Sequence, residues 1–188
     1  GCSGPAPDLN ETWEFDGNNW MQMQPPNQPS QRRLAPMHYD VARARIVLFG
    51  GVRTNVGPSP NETWEWDGGA WRMRIPSTSP AARWGHGMTY DLARSRIVLC
   101  GGSTGQPNQF LNDTWSWDGT IWTQESAIAP VAPMGIGLAY HASRNLLVRF
   151  GGNPGVASTS VYDGVTWRVD PRNPTPDVRT WCALAYDS

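Results

Sequence analysis

The sequence has no lysine, because all 15 of its basic residues are arginine. A Walker-type phosphate loop and a Schiff-base enzyme each need a lysine at the centre of their chemistry, so these residues form neither. Charge of either sign is scarce, at 16% of residues, and the formal net charge is -1. Nucleic acids and anionic membranes attract strongly basic surfaces, so this balance predicts neither of them as a partner.

Cysteine and long apolar runs are also scarce. The three cysteines (Cys2, Cys100 and Cys182) lie far apart, which argues against a disulfide framework and against a CxxC zinc site. No apolar run approaches the roughly 18 residues of a membrane span. The chain begins at Gly1 rather than at Met and ends at Ser188 within a repeating pattern. We therefore expect it to be a piece of a longer polypeptide.

The sequence is built on a repeat of about 51 residues. Its markers are a double glycine, a Thr-Trp pair and an Asp-Gly-x-x-Trp motif. The double glycines start at Gly50, Gly101 and Gly151, the pairs at Thr12, Thr63 and Thr114, and the motifs at Asp16, Asp67, Asp118 and Asp163. A content of 20 Gly and 17 Pro with little charge favours short strands and turns over amphipathic helices.

This pattern resembles the kelch repeat, as found in bacterial kelch-like proteins and in the central domain of galactose oxidase. The resemblance implies an all-β fold, a β-propeller of four-stranded antiparallel blades, with about four blades represented here. The repeat boundaries predict two final strands of a blade in residues 1–24, blades at 32–75 and 83–125, a degenerate blade at 133–170, and the first strand of a further blade at 179–188. We expect an open fragment, with a closed four-bladed ring as the alternative.

Positions that recur in every repeat are predicted to be structural. The tryptophans at 13, 64, 115, 71, 122 and 167 should pack one blade against the next. The Asp-Gly motifs should turn hairpins, since they lack the extra residue of a sialidase-type Asp box. In the degenerate blade Ser160 replaces a tryptophan and His141 an aspartate, which weakens the prediction of its third strand.

Candidate functional residues are those that break the repeat. His86 stands where the other repeats have Ala35, Ile136 and Cys182, and it would lie near the propeller axis. Loops on a rigid scaffold often carry function, and the variable loops supply the other candidates. The predicted binding residues on the loop face are Arg53, Asn55, Trp84, His86, Gln109 and Phe110.

No set of unlike residues converges on a catalytic pattern in the sequence. A buried, satisfied histidine is the favoured interpretation of His86, and a Cys182–His86 pair stays open as an alternative. The tyrosine, histidine and cross-linked cysteine ligands of galactose oxidase have no matching pattern. We therefore predict no catalytic residue, metal site or cofactor.

The predicted function is a non-catalytic binding or scaffold module that presents its loops around a propeller channel to a protein or carbohydrate partner. The alternative is a fragment of a carbohydrate-active or oxidase-type propeller enzyme whose catalytic residues lie largely outside this chain. Unpaired edge strands would allow self-association. The tryptophan-rich, weakly charged composition favours a secreted or cell-envelope protein over a cytosolic one.

Overall fold

The computed structural model describes residues 8–53, 59–106, 109–126, 134–152, 158–171 and 176–186. This part of the chain is all-β apart from a single turn of 3-10 helix at Ala142–Arg144, and its strands pair antiparallel. Asn55 lies outside the described residues. Among the helices that the structure describes, none has the length and apolar character that a bilayer crossing requires.

The strands form four separate sheets, each a simple meander in which consecutive strands are neighbours. The N-terminal sheet contains β1 (Thr12–Phe15) and β2 (Trp20–Met23). Sheet A contains β3 (Met37–Asp40), β4 (Arg45–Phe49), β5 (Thr63–Trp66) and β6 (Trp71–Arg74). Sheet B contains β7 (Gly87–Asp91), β8 (Arg96–Cys100), β9 (Thr114–Trp117) and β10 (Trp122–Ser126). Sheet C contains β11 (Gly137–His141), β12 (Leu146–Phe150), β13 (Thr159–Tyr162) and β14 (Trp167–Val169).

This repetition of four-stranded antiparallel sheets confirms the predicted fold class at that level. No described sheet closes on itself. Sheets A and B share one register, since Leu48 lies opposite Trp64 just as Leu99 lies opposite Trp115. Sheet C has its third strand despite Ser160, because Val161 and Tyr162 are buried and hold β13 in place.

The second strand of each complete sheet forms the core. In β8, Ile97 and Leu99 pack with Val47 and Phe49 of sheet A. The alternate residues Val98 and Cys100 pack against sheet C. Strand β8 is therefore buried on both faces, which follows from a period of two in an apolar run between two sheets.

The Asp-Gly motifs turn the outer hairpins, as predicted. Oδ1 of Asp67 accepts the N–H groups of Gly69 and Ala70 at 3.0 and 2.8 Å. These backbone bonds hold the pKa of the Asp67 carboxyl below its usual value. Gly68 follows with φ +92°, a conformation that disfavours any residue with a Cβ. The motifs at Asp16, Asp118 and Asp163 have the same two bonds.

Tryptophan side chains join the sheets, although the crossing residues differ in part from those predicted. Trp71, Trp122 and Trp167 each donate to a threonine of the preceding sheet, at 2.8, 2.9 and 2.7 Å. Trp66 and Trp117 also cross, donating to glutamates of the preceding sheet. The indole nitrogens of the other predicted set, at 13, 64 and 115, bond within their own repeat instead.

Candidate functional site

The first strands of sheets A, B and C lie side by side, and a chain of backbone hydrogen bonds joins the residues that precede them. The N–H of Gly85 donates to the carbonyl of Leu34 at 3.1 Å, the N–H of Gly135 to Gly85 at 2.7 Å, and the N–H of Trp181 to Gly135 at 2.7 Å. We call these four residues the rim. Through these main-chain hydrogen bonds, the rim links the three sheets to the C-terminal segment, residues 179–186.

All four rim residues have a left-handed backbone conformation, with positive φ. Their φ values are +55° at Leu34, +65° at Gly85, +66° at Gly135 and +57° at Trp181. Glycine adopts this conformation freely, whereas a residue with a Cβ is disfavoured there by about 1–2 kcal/mol. Leu34 and Trp181 nevertheless occupy it, and both are exposed, at 39% and 51%. Strain retained at an exposed position suggests a function for that side chain.

A depression of about 330 Å³ lies inside the rim. Its wall contains the rim residues, Pro36, and the four equivalent positions that follow the rim residues, namely Ala35, His86, Ile136 and Cys182. The structure thus brings together the repeat-breaking positions that the sequence placed near one axis. The wall is mainly apolar.

His86 is buried beneath this depression, with the ring of Phe49 edge-on at 5.8 Å. Both of its ring nitrogens are buried and have no hydrogen-bond partner among the described residues. Burial lowers the pKa of His86 to about 3, helped by the charge of Arg83 and opposed by that of Asp113. The ring is therefore neutral at physiological pH, which corrects the expectation of a satisfied histidine: it is buried but unsatisfied.

Cys182 lies between different sheets from His86. Its Sγ donates to the carbonyl of Phe150 at 3.4 Å, and a Cβ on Gly151 would come within 2.9 Å of that sulfur. His86 instead lies against Phe49 and Gly50, the equivalent residues of sheet A. Each side chain therefore packs on the Phe-Gly end of its own preceding sheet. This arrangement does not support the Cys182–His86 pair.

Three predicted site residues gather around Ser103. Trp84 exchanges both backbone hydrogen bonds with Ser103 at 3.0 Å, and Phe110 forms a bridge to Ser103 from the other side. The carbonyl of Gln109 accepts the N–H of Thr104 at 3.2 Å. The indole of Trp84 is parallel to that of Trp181 within 5°, with ring centroids 6.4 Å apart. We call the stacked indoles of Trp84 and Trp181, together with Phe110 on the neighbouring backbone bridge, the aromatic surface; Trp181 also lines the depression.

Arg53, another predicted site residue, does not join that surface. Its guanidinium is paired with Glu62 of sheet A at 2.8 Å and is largely buried. An arginine already paired with a carboxylate has less capacity to recruit a partner. Asn55, for which we predicted the same role, lies outside the described residues.

Sequence reasoning missed a repeated ion-pair cluster. In sheet B the guanidinium of Arg83, fully buried, forms two bonds to Asp113 at 2.5 and 2.8 Å. Asp113 also accepts the indole N–H of Trp115 at 2.6 Å. Burial alone would raise the pKa of Asp113, but the bonds from Arg83 hold it below its usual value. The arginine also bonds the carbonyl of Gly101, so it ties the double glycine to the third strand.

Sheet A repeats this cluster with Arg32, Glu62 and Trp64. Arg32 pairs with Glu62 at 2.6 Å and bonds the carbonyl of Gly50 at 2.9 Å. In each sheet the arginine stands 30 residues before its acid. That fixed separation was visible in the sequence, and it is the signal that would have revealed the cluster.

No protein-family model matches this chain, and no curated protein is similar enough to it to match. Within the described ranges, no group of three or more histidine, cysteine, aspartate or glutamate side chains could hold a metal ion. What the site offers is an apolar depression, a flanking aromatic surface and one neutral histidine. These groups can bind apolar side chains and stack on flat rings.

Proposed function

We propose that this chain is a non-catalytic binding module, built as part of a kelch-type β-propeller, whose rim and aromatic surface bind a protein partner. One observation carries the proposal: Trp181 stands half-exposed in a left-handed conformation that two sister repeats give to glycine. The rim bonds use only the main chain, and the indole of Trp181 lies over Gly85 and Gly135 with about half of its surface left exposed. Large aromatic residues that are exposed at the edge of an apolar pocket are typical anchors of protein interfaces.

The propeller assignment draws support from the sheets. Three four-stranded meanders repeat in sequence order, their first strands lie side by side, and their second strands pack face to face. We assign the blades to residues 32–75, 83–125 and 133–170, with the N-terminal sheet and the C-terminal segment as parts of further blades. In such an arrangement the rim surrounds the mouth of the channel.

The lining of the depression favours a protein over an enzyme substrate. Histidine, tyrosine, aspartate and glutamate serve in most active sites, and among the described residues of these types His86 alone lines the depression. An apolar side chain of about the size of leucine or phenylalanine would fill the space between Leu34 and Trp181. Burying such a side chain contributes about 1.5–3 kcal/mol.

A carbohydrate partner is the second candidate, and the parallel indoles of Trp84 and Trp181 are the observation that favours it. Sugar rings stack on exposed aromatic faces, as other flat apolar groups do. The described wall of the depression offers few polar groups to bond hydroxyls, so we rank this candidate below a protein.

The variant Trp181→Gly tests the proposal. It restores the glycine of the sister repeats, so relief of strain offsets part of the lost contacts with Trp84, Gly85 and Gly135, and stability should fall by no more than about 2 kcal/mol. Wild-type protein should select displayed random peptides rich in leucine or aromatic residues, and Trp181→Gly should bind those peptides at least about tenfold more weakly. Trp20→Ala removes a more exposed tryptophan far from the rim and should bind as wild type does.

Two results would reject the proposal. One is equal binding of the selected peptides by wild type and Trp181→Gly. The other is selection of glycans alone from an array, which would favour the carbohydrate candidate.

A further inference from the structure

The two ends of the described chain carry the two halves of an ion-pair cluster that is complete in sheets A and B. At the N-terminal end, Glu11 accepts the indole N–H of Trp13 at 2.9 Å, as Asp113 does from Trp115. No arginine pairs with Glu11 among the residues that the structure describes. Glu11 therefore has the position and the indole contact of the cluster acid but lacks its cation.

At the C-terminal end, Arg179 is equivalent to Arg32 and Arg83 in the repeat. Its Nε donates to the carbonyl of Asp177 at 3.2 Å, as Nε of Arg83 donates to Ala81 at 3.0 Å. The arginine is thus positioned like the cluster arginines. In the described part of the chain it has no carboxylate partner. It has the position and the backbone contact of the cluster cation but lacks its acid.

Sheet A leaves apolar side chains uncovered on the side that faces this missing half. Met37 and Tyr39 of β3 are 59% and 49% exposed, whereas the equivalent Met88 and Tyr90 of β7 are 7% and 5% exposed. The residues of β7 are covered because sheet A precedes sheet B and packs against them. The side of β3 that should meet a preceding repeat has no such cover among the described residues.

The C-terminal segment, residues 179–186, has the features of a first strand, although it forms no strand in the structure. On one side it packs on sheet C, where Leu184 lies over Gly137 and the ring of Tyr186 lies 4.7 Å from His141. Its alternate residues, Ala183 and Ala185, are small. Ala183 is equivalent to Gly87, beside which Leu138 of the following sheet lies.

We propose that the C-terminal segment of one copy docks on the N-terminal sheet and β3 of a second copy, with Arg179 paired to Glu11. The small residues Ala183 and Ala185 would then face Met37 and Tyr39 of the second copy, as Gly87 faces Leu138 within one chain. The contact joins unlike ends, so it is head-to-tail and leads to a ring or an open chain of copies. It continues the interface in which Trp66 and Trp71 already bond the N-terminal sheet.

Charge as well as shape favours a second copy as the occupant of this surface. Glu11 and Arg179 are complementary, and the same pairing is present twice within the chain at 2.6 Å or less. The described residues of the two copies supply no second strand between these positions. The cleft of about 290 Å³ beside Ile46, Leu48 and Trp66 is also lined by Glu11 and Met37, so the docked segment would cover only part of it.

Charge reversal provides the test. Glu11→Arg and Arg179→Glu should each weaken self-association of the full chain by about tenfold or more, measured by sedimentation over a range of concentrations. An equimolar mixture of the two variants should regain association, because each reversed end meets a complementary one. Arg72→Glu changes the net charge by the same amount as Arg179→Glu, at an exposed site in sheet A, and should associate as wild type does.

Circular dichroism confirms that each variant is folded before its association is compared. The proposal is overturned if wild type stays monomeric throughout the series, or if the mixture associates no better than the single variants. A monomeric wild type whose thermal stability falls in both single variants and returns only in the double variant would show closure within one chain instead.

Discussion

The interface between sheets A and B and the interface between sheets B and C follow one plan but use different side chains. Between A and B, Trp117 donates to Glu65 at 3.0 Å and Trp122 to Thr63 at 2.9 Å. Between B and C, Trp167 keeps the bond equivalent to that of Trp122, to Thr114 at 2.7 Å, and Tyr162 has no bond equivalent to that of Trp117 among the described residues. In the B–C interface, Tyr162 takes the place of Trp117, and Ser116 takes the place of Glu65.

This exchange leaves a polar group without a partner. The hydroxyl of Tyr162 is buried and unbonded within the described structure, and burial raises its pKa to about 12. Ser116 turns instead to Glu125 of its own sheet, at 2.5 Å. Both interfaces have an apolar core, and the A–B core buries two tryptophans where the B–C core buries Tyr162. We infer that the A–B interface is the more stable of the two.

The largest expected effect is at Glu65. Glu65→Ala leaves the indole N–H of Trp117 buried without an acceptor and removes the partner of Arg74, so it should cost about 3 kcal/mol. Ser116→Ala, at the equivalent position of sheet B, should cost about 1 kcal/mol. Urea unfolding of both variants measures the difference. Equal losses would show that the crossing bond adds nothing to the A–B interface.

The second expected effect is a pH dependence of the free energy of unfolding that arises at the A–B interface. His86 packs there, whereas the B–C interface has Ile136 in its place. Because the pKa of His86 in the folded state is about 3, the unfolded chain takes up a proton below pH 6.5 and the folded chain does not. Stability is therefore fully present above pH 6.5 and falls by about 1.4 kcal/mol per pH unit towards pH 3.

The window from pH 6.5 to 5 isolates the histidine, since carboxylates such as Asp113 stay ionised there. The loss across it should be about 2 kcal/mol. In His86→Ile, which copies the sister interface, the free energy of unfolding should vary much less across this window. A slope that persists in the variant would assign the effect to another group.

The smallest expected change in stability has the opposite sign, because this variant should not be destabilised. Tyr162→Phe removes the unbonded hydroxyl and should leave stability unchanged or raise it by up to about 1 kcal/mol. Tyr90→Phe is the matched control, because the hydroxyl of Tyr90 accepts the N–H of Ala42 at 3.2 Å. That control should lose about 1 kcal/mol in the same unfolding assay. A loss in both variants would mean that Tyr162 has a bonding partner after all.

Much of the fold could be predicted because its signals are local. The apolar run at Arg96–Cys100 became a strand buried on both faces, and each Asp-Gly motif became a hairpin. The candidate site was only partly predictable. Trp84, Gln109 and Phe110 do gather around one residue, whereas Arg53 is engaged by Glu62 and Trp181 was not foreseen as a site residue.

The missed features depend on what a neighbouring sheet presents. A left-handed tryptophan cannot be read from its own residue type, because glycine is the residue that favours this conformation. The orphan nitrogens of His86 depend on Phe49 and Gly50, which lie in another sheet. Repeat position and residue type determined the strands, the turns and the candidates. The tertiary structure decided the rim, the ion-pair clusters and the unsatisfied groups, since each depends on contacts between residues far apart in the chain.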